Sequence, residues 1–522
     1  MAWTRRGIVR LFGAAGGFGA ATAAMGALDM KAVAAAGAGR LDLGRIGGGR
    51  KVLILGAGVS GLSAAYELER AGFSCQVLEA RTRAGGRNWT WRDGTKVPHR
   101  DGEQTVRFDE GDYFNAGPAR IPGFHETVLG YCRDLGVPLE PFFYENKNAF
   151  FLSDKIAGGE RVRHRRVRYS VQSAIEELMM KSLDRRALDA PVSDEDFEKL
   201  KEFFRLTTGR GDAPFPSELR LGFTHHPGAG LDAGELDTRI PISEIAQSDV
   251  LSIVLSTYDF HEWQATLMQP VGGMDQIPKA FLRNITSPVA FGFEARSMTQ
   301  TDDKVVVGGV DRASGEARTF EGDFVICTLP LPIVDKMETA FSPKVAKAVA
   351  AAAEYWEPTS KMAWRAQRRF WEEDDGVYGG ASSVEGPMMQ YWYPNQGFGG
   401  AGGVLLGAYT AVEAAEFWTR LPLAEQIAMS RRFGTRLHPA FANEAIDPVG
   451  VDWLDQTYSA GGWAWLADDL SEGGPYQTLM KFDGRIGFAG DYLSHLPGWQ
   501  EGALLSARHA MNALAGLVQS DL

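Results

Sequence analysis

The spacing of apolar and polar positions divides the chain into stretches of different period. Residues 51–55, Lys-Val-Leu-Ile-Leu, are a short apolar run of the kind a strand buried on both faces presents. Residues 62–71 follow with Leu62, Ala65, Tyr66 and Leu68 on one helical face. Residues 75–78 are apolar again and end at Glu79. This succession predicts a βαβ unit of about thirty residues. Residues 289–298, 305–310 and 324–327 alternate and are broken by Asp302-Asp303 and Ser314-Gly315, which predicts a β-meander returning to the sheet. Between about 165 and 260, periods such as Ala174-Ile175-Leu178-Met179 predict a mostly helical insertion. Residues 356–409 read as strand-rich, 486–489 as a buried strand and 503–517 as a helix. No repeat of fixed period is evident.

At 522 residues the chain exceeds what one core usually holds, so two or three domains are expected. The net charge of −12 argues against a nucleic-acid partner, which would call for a basic surface. Cys75, Cys132 and Cys327 are far apart and odd in number, so neither a disulfide framework nor a CxxC metal site is visible. His225-His226 and His261-Glu262 lack metal-ligand spacing, so no metal is expected, and a base role for His261 is not favoured. There is no G-x-S-x-G elbow. The basic run Arg161-Val162-Arg163-His164-Arg165-Arg166-Val167-Arg168 suits a solvated face or subunit contact, with an acidic partner or membrane surface as the alternative.

The N-terminus differs from the rest. Arg5-Arg6 precedes a Gly- and Ala-rich apolar run, which reads as a twin-arginine export signal over residues 1–38. The run is too Gly-rich for a stable membrane anchor. An exported protein is therefore expected, although unpaired cysteines fit poorly with an oxidising compartment.

The chemistry begins at Gly56-Ala57-Gly58-Val59-Ser60-Gly61, directly after the first strand. Gly56 makes the tight turn, Gly58 admits a pyrophosphate close to the backbone, and Gly61 lets helix and strand pack. The helix N-terminus faces the phosphates, and Glu79 can accept from a ribose. Strand, helix and acid at this spacing point to a dinucleotide. Beyond Glu79, the stretch Ala80-Arg81-Thr82-Arg83-Ala84-Gly85-Gly86-Arg87 offers a second close approach with arginines to neutralise phosphate.

Glu79 to Arg87 resembles the E-x-R-x-R-x-G-G-R pattern of the flavin amine oxidase family. Gly487-Phe488-Ala489-Gly490-Asp491-Tyr492 resembles its second FAD motif, with Asp491 where the family often has Glu. Val271-Gly272-Gly273-Met274-Asp275 resembles its central segment. The resemblance covers most of residues 50–515 and is weakest over about 160–255. It implies an α/β fold: a discontinuous, doubly wound FAD domain (47–102, 265–355 and 478–518), a β-rich substrate domain (103–160 and 356–477) and a helical domain (161–264). It implies FAD held by Gly56, Gly58, Gly61, Glu79, Ala80, Arg81, Gly85, Gly86, Arg87, Gly117, Ala119, Arg120, Ala295, Gly490, Asp491, Gly498, Trp499, Gln500 and Ala503. The turn Pro497-Gly498-Trp499-Gln500 would open the last helix towards the flavin.

Within the family the chain looks most like the L-amino acid oxidases. The arginine of Gly117-Pro118-Ala119-Arg120-Ile121-Pro122 would grip a substrate carboxylate, for which a planar guanidinium fork is suited. By the same resemblance Tyr409 shares the carboxylate, Gly498 offers its carbonyl to the amino group, Trp463 lines the side-chain pocket, Trp499 also contacts the substrate, and Lys361 holds a water near the flavin N5. Lys361 lies in an apolar stretch, where a lysine is costly unless paired or useful. Trp392, Tyr393 and Trp465 are further pocket candidates. With no acidic residue evident beside them, an apolar, aromatic or broad side-chain preference is expected. The implied reaction converts an L-amino acid and oxygen to 2-oxo acid, ammonia and hydrogen peroxide. An L-amino acid 2-monooxygenase and an amine or polyamine oxidase stay open as alternatives. A binding module of this fold without redox activity is disfavoured by the intact flavin motifs. A homodimer is expected.

Overall fold

The computed structural model describes residues 41–184, 193–208, 217–248, 260–468, 470–471 and 473–520, so the export-signal reading lies outside the described residues. Its centre is a five-stranded parallel sheet in the order Val289–Phe291, Ser74–Glu79, Lys51–Leu55, Phe324–Cys327 and Ile486–Phe488. Leu55 pairs with Leu78 on one side and Cys327 on the other. Strand alternation sends Val52 and Ile54 into one core, with the helices Val59–Arg70 and Gln500–Ser520. It sends Leu53 and Leu55 into a second core under the meander. All four side chains are fully buried, and such burial contributes roughly 1.5–3 kcal/mol each.

Several boundaries differ from the sequence reading. The first helix begins at Val59, not at residue 62, which puts Gly61 inside its first turn. The last begins at Gln500 and runs to Ser520. Residues 289–298 are not one strand: Gly292, at φ +76°, separates Val289–Phe291 in the parallel sheet from Phe293–Gln300 in the meander. The meander continues through Val305–Asp311 and Ala317–Gly322. The last strand is mostly solvent-facing, so its sequence carries no apolar run.

The second large sheet has seven strands in the order Val162–Arg163, Phe150–Leu152, Ala381–Val384, Gln390–Trp392, Gly403–Ala411, Thr359–Ala366 and Ala445–Asp452. Two helices, Val412–Arg420 and Leu423–Leu437, lie within the stretch read as β-rich. Gln426, Ser430, Gly434 and Leu437 are buried at helical spacing along the second.

The helices His164–Asp184 and Asp194–Thr208 occupy the region read as a helical insertion. All five arginines of the basic run find partners inside the chain. Arg161 pairs with Asp375 at 2.9 Å, Arg163 stacks on Phe150, and Arg165 donates to the Leu221 carbonyl. Arg166 pairs with Asp237 and Arg168 with Glu145. The run ties the helical segment to the edge of the seven-stranded sheet. It is not a free basic face for an acidic partner or membrane surface. The three cysteines are buried and separate, and burial pushes their thiols up to about 12.

Candidate active site

A single cavity of about 1180 Å³ runs from the C-terminal ends of the parallel strands to the seven-stranded sheet. Every candidate cofactor and substrate residue named from the sequence lines it except Gly61 and Tyr393. A Cβ at Gly61 would fall 2.1 Å from the Gly56 carbonyl oxygen, so this glycine serves the contact between helix and strand. Gly56 has φ +101°, a conformation natural only to glycine. Gly58 is different: its φ of −74° suits any residue, and a Cβ there would meet no protein atom within 4 Å. What a side chain at 58 would fill is the cavity itself.

Glu79 ends its strand with one carboxylate oxygen accepting from the Ala57 N–H and the other from the Arg81 N–H, both at 2.8 Å. Arg81 donates to Ser459, and burial lowers its pKa. Arg87 is salt-bridged to Asp491, which also accepts from the Gly498 N–H at 2.9 Å. Asp491 thus joins the glycine-arginine segment to the turn that opens the last helix. A carboxylate has about four lone-pair sites, which leaves it capacity for a ligand hydroxyl. Gly117 lets the next loop cross Arg87, since a Cβ there would strike the Arg87 carbonyl. Together these groups fit an extended diphosphate dinucleotide: glycines that open the turn, a helix N-terminus, an acid at the strand end and arginines beside them.

The loop carrying Arg120 is held by side chains from the second sheet. Lys361 donates to the carbonyls of Asn115, at 3.1 Å, and Gly117. Trp453 Nε1 donates to the carbonyl of Ala116 at 3.0 Å. Burial, and then the charge of Arg120, push the Lys361 amine from its ordinary 10.5 down to about 7. Tyr409 sits opposite Lys361 in the strand register.

Arg120 is enclosed by aromatic rings. Its guanidinium carbon lies 4.6 Å from the ring centre of Tyr144 and 5.3 Å from those of Trp263, Trp392 and Trp499. Its Nε is buried without a hydrogen-bond partner among the described residues. The described groups whose charge acts on it include the Tyr144 and Tyr409 hydroxyls and the Lys361 amine, and no carboxylate is among them. Burial lowers its pKa. A cation held this way is suited to an anion brought by a ligand, because a buried charge left unpaired is costly. Beside it, Trp463 packs close to Gly498, and its indole N–H is also unpartnered among the described residues.

Some residues stand elsewhere than the sequence suggests. Tyr393 lines a separate small pocket and bonds His438 and Ser382 through its hydroxyl. His261 does not line the main cavity and stacks on Phe124. Glu385 and Glu413 do line it, against the expectation of no nearby acid. Glu385 is paired with Lys155 at 2.6 Å, and Glu413 is exposed. Phe260, Trp263 and Gln390, which also line it, and Tyr144, which packs on Arg120, are not marked by the sequence. The one signal in the sequence is Trp263 itself, directly after the pair His261-Glu262.

The sequence model of the family described as "flavin containing amine oxidoreductase" matches residues 59–515. The chain is 28% identical to a flavin-dependent L-tryptophan oxidase of Lentzea aerocolonigenes, over 90% of this chain and 98% of that protein. It is 28% identical to an L-amino-acid oxidase of Sistrurus catenatus edwardsii, over 88% and 85%. In fold it is similar to cyclohexylamine oxidase from Brevibacterium oxydans, with a TM-score of 0.59 at 15% identity, over 90% of this chain and 99% of that one.

Proposed function

The chain belongs to the flavin containing amine oxidoreductases, and on that premise we propose that Arg120 takes the substrate by its carboxylate. The protein is an FAD-dependent L-amino acid oxidase. FAD, when bound, supplies the acceptor for the hydride from the substrate Cα–H and passes the electrons to oxygen. The imino acid then takes up water, so that amino acid, oxygen and water give 2-oxo acid, ammonia and hydrogen peroxide.

The observation that carries the substrate assignment is the enclosed Arg120 with no carboxylate partner among the described residues. An amine without a carboxylate has no use for it. Tyr409 would share the carboxylate and the Gly498 carbonyl would accept from the amino group. Trp463 and Trp465 would face the substrate side chain. These groups position the Cα–H and exclude water, and the exposed Glu413 leaves the cavity a polar rim. Purified protein given L-phenylalanine should produce peroxide and 2-oxo acid in equal amounts. An amide product in place of the 2-oxo acid would mean a monooxygenase instead. Export through the segment containing Arg5-Arg6 and assembly as a homodimer belong to the same reading, tested by N-terminal sequencing of the exported protein and by light scattering.

Lys361 supports the Arg120 loop and carries an amine that titrates near neutrality. The unfolded chain keeps this proton up to about 10.5, whereas the folded chain gives it up above about 7. Its contribution to stability therefore falls as the pH drops from about 10.5 to about 7, then levels off. Lys361→Met should slow single-turnover reduction of the bound flavin and remove an ionisation near pH 7 from its profile, while FAD stays bound. Stopped-flow reduction between pH 6 and 9 checks this. An unchanged rate and profile would leave Lys361 with structural support alone.

A further inference from the structure

Gln390 lies at the start of the strand Gln390–Trp392, opposite Tyr409 in the neighbouring strand, and it is 7% exposed. Its carboxamide is bonded to two of the four rings around Arg120. The Trp392 Nε1 donates to Oε1 at 2.6 Å. Tyr144 meets the same amide, with its hydroxyl 3.0 Å from Oε1 and 2.7 Å from Nε2. An indole N–H can only donate, so the carboxamide oxygen must face Trp392 and the amide NH₂ is left to donate to the Tyr144 oxygen. Tyr144 and Trp392 also pack edge to face, with centres 5.7 Å apart. One side chain thus sets the tilt of both rings.

Charge makes the residue type matter. A carboxylate at this position could accept from both Trp392 and Tyr144, so the hydrogen bonds alone would not exclude it. It would also set a negative charge among the rings enclosing Arg120, in a poorly solvated site where charges act strongly on one another. The guanidinium would then have an internal partner. A neutral amide makes the same contacts and leaves that charge unspent.

We propose that Gln390 is a positioning residue: it braces Tyr144 and Trp392 around Arg120 and, being uncharged, keeps the guanidinium free for the substrate carboxylate. This rests on the reading of Arg120 as the carboxylate-binding group.

The test uses the FAD-loaded enzyme and two ligands read by perturbation of the flavin spectrum. One is 3-phenylpropanoate, which has the carboxylate and no amine. The other is phenethylamine, which has the amine and no carboxylate. Gln390→Glu should bind 3-phenylpropanoate at least about tenfold more weakly than wild type, and phenethylamine no more weakly. Gln390→Met should weaken 3-phenylpropanoate less than Gln390→Glu does, and should raise KM for L-phenylalanine more than it lowers kcat. A Gln390→Glu enzyme that binds 3-phenylpropanoate as wild type does, or that loses both ligands equally, would overturn the proposal. Should Gln390→Glu fail to fold, Trp392→Phe combined with Tyr144→Phe removes the same brace from the other side. It should weaken 3-phenylpropanoate, and unchanged affinity would overturn the brace. Arg120→Ala separates the two levels: if it binds 3-phenylpropanoate as well as wild type does, the reading of Arg120 fails and the role of Gln390 with it. If it loses the ligand while the Gln390 variants do not, only the present inference fails.

Discussion

Arg120→Ala is expected to lower kcat/KM for L-phenylalanine by some tens- to thousands-fold. The pair between Arg120 and a substrate carboxylate would form among four aromatic rings, largely away from water. Truncating one partner of a desolvated, hydrogen-bonded charge pair costs about 2–5 kcal/mol, since the other charge is left buried and unpaired. At about 1.4 kcal/mol per tenfold, that gives the stated range. Arg120→Lys keeps the charge and loses the fork, so an intermediate loss is expected. Steady-state kinetics of the three enzymes, with FAD content measured in each, check the order wild type, Lys, Ala. Equal kcat/KM in all three would remove Arg120 from substrate binding.

Gly58→Leu is expected to weaken FAD binding by up to about 100-fold while leaving the fold intact. The backbone at Gly58 is in an ordinary conformation and a Cβ meets no protein atom, so the protein alone has no reason to reject a side chain. A bound cofactor would have one, because the side chain would fill cavity space beside the glycine turn that would hold its phosphates. Overpacking of this kind costs about 1–3 kcal/mol, and the upper end corresponds to roughly 100-fold in affinity. Gly61→Leu should behave differently, since a Cβ at 61 would already strike the Gly56 carbonyl. It should lower the Tm of the FAD-free protein, which Gly58→Leu should not. Absorbance of the bound flavin and thermal unfolding of the apoproteins distinguish the two. A Gly58→Leu apoprotein that binds added FAD with wild-type affinity would place the phosphates elsewhere.

The contrast between these two sites shows what the sequence could carry. The glycine turn, Glu79 and the Gly85-Gly86-Arg87 segment are contiguous or one βαβ unit apart, so their spacing alone specified the cradle. The surroundings of Arg120 are assembled differently. Its four rings come from positions 144, 263, 392 and 499, which no local period connects. Trp263 lies just beyond the stretch of about 160–255 where the family resemblance is weakest. Gln390 gave no signal because its role depends on two side chains brought to it by separate segments. The helices at 412–437 were missed next to a long apolar strand, although their own spacing is helical. Gly292 splits two strands through its backbone conformation, which an alternating pattern does not record. The arginines at 161–168 looked like a surface patch because their acidic partners lie at 145, 237 and 375.

The central claim is that the substrate is recognised as an α-amino acid, by its carboxylate. The most direct measurement compares wild-type turnover of L-phenylalanine with that of phenethylamine, the same molecule without the carboxylate, following peroxide and 2-oxo acid together. L-phenylalanine should be oxidised with matching peroxide and 2-oxo acid, and phenethylamine should be a poor substrate. A wild-type enzyme that prefers phenethylamine would contradict the assignment.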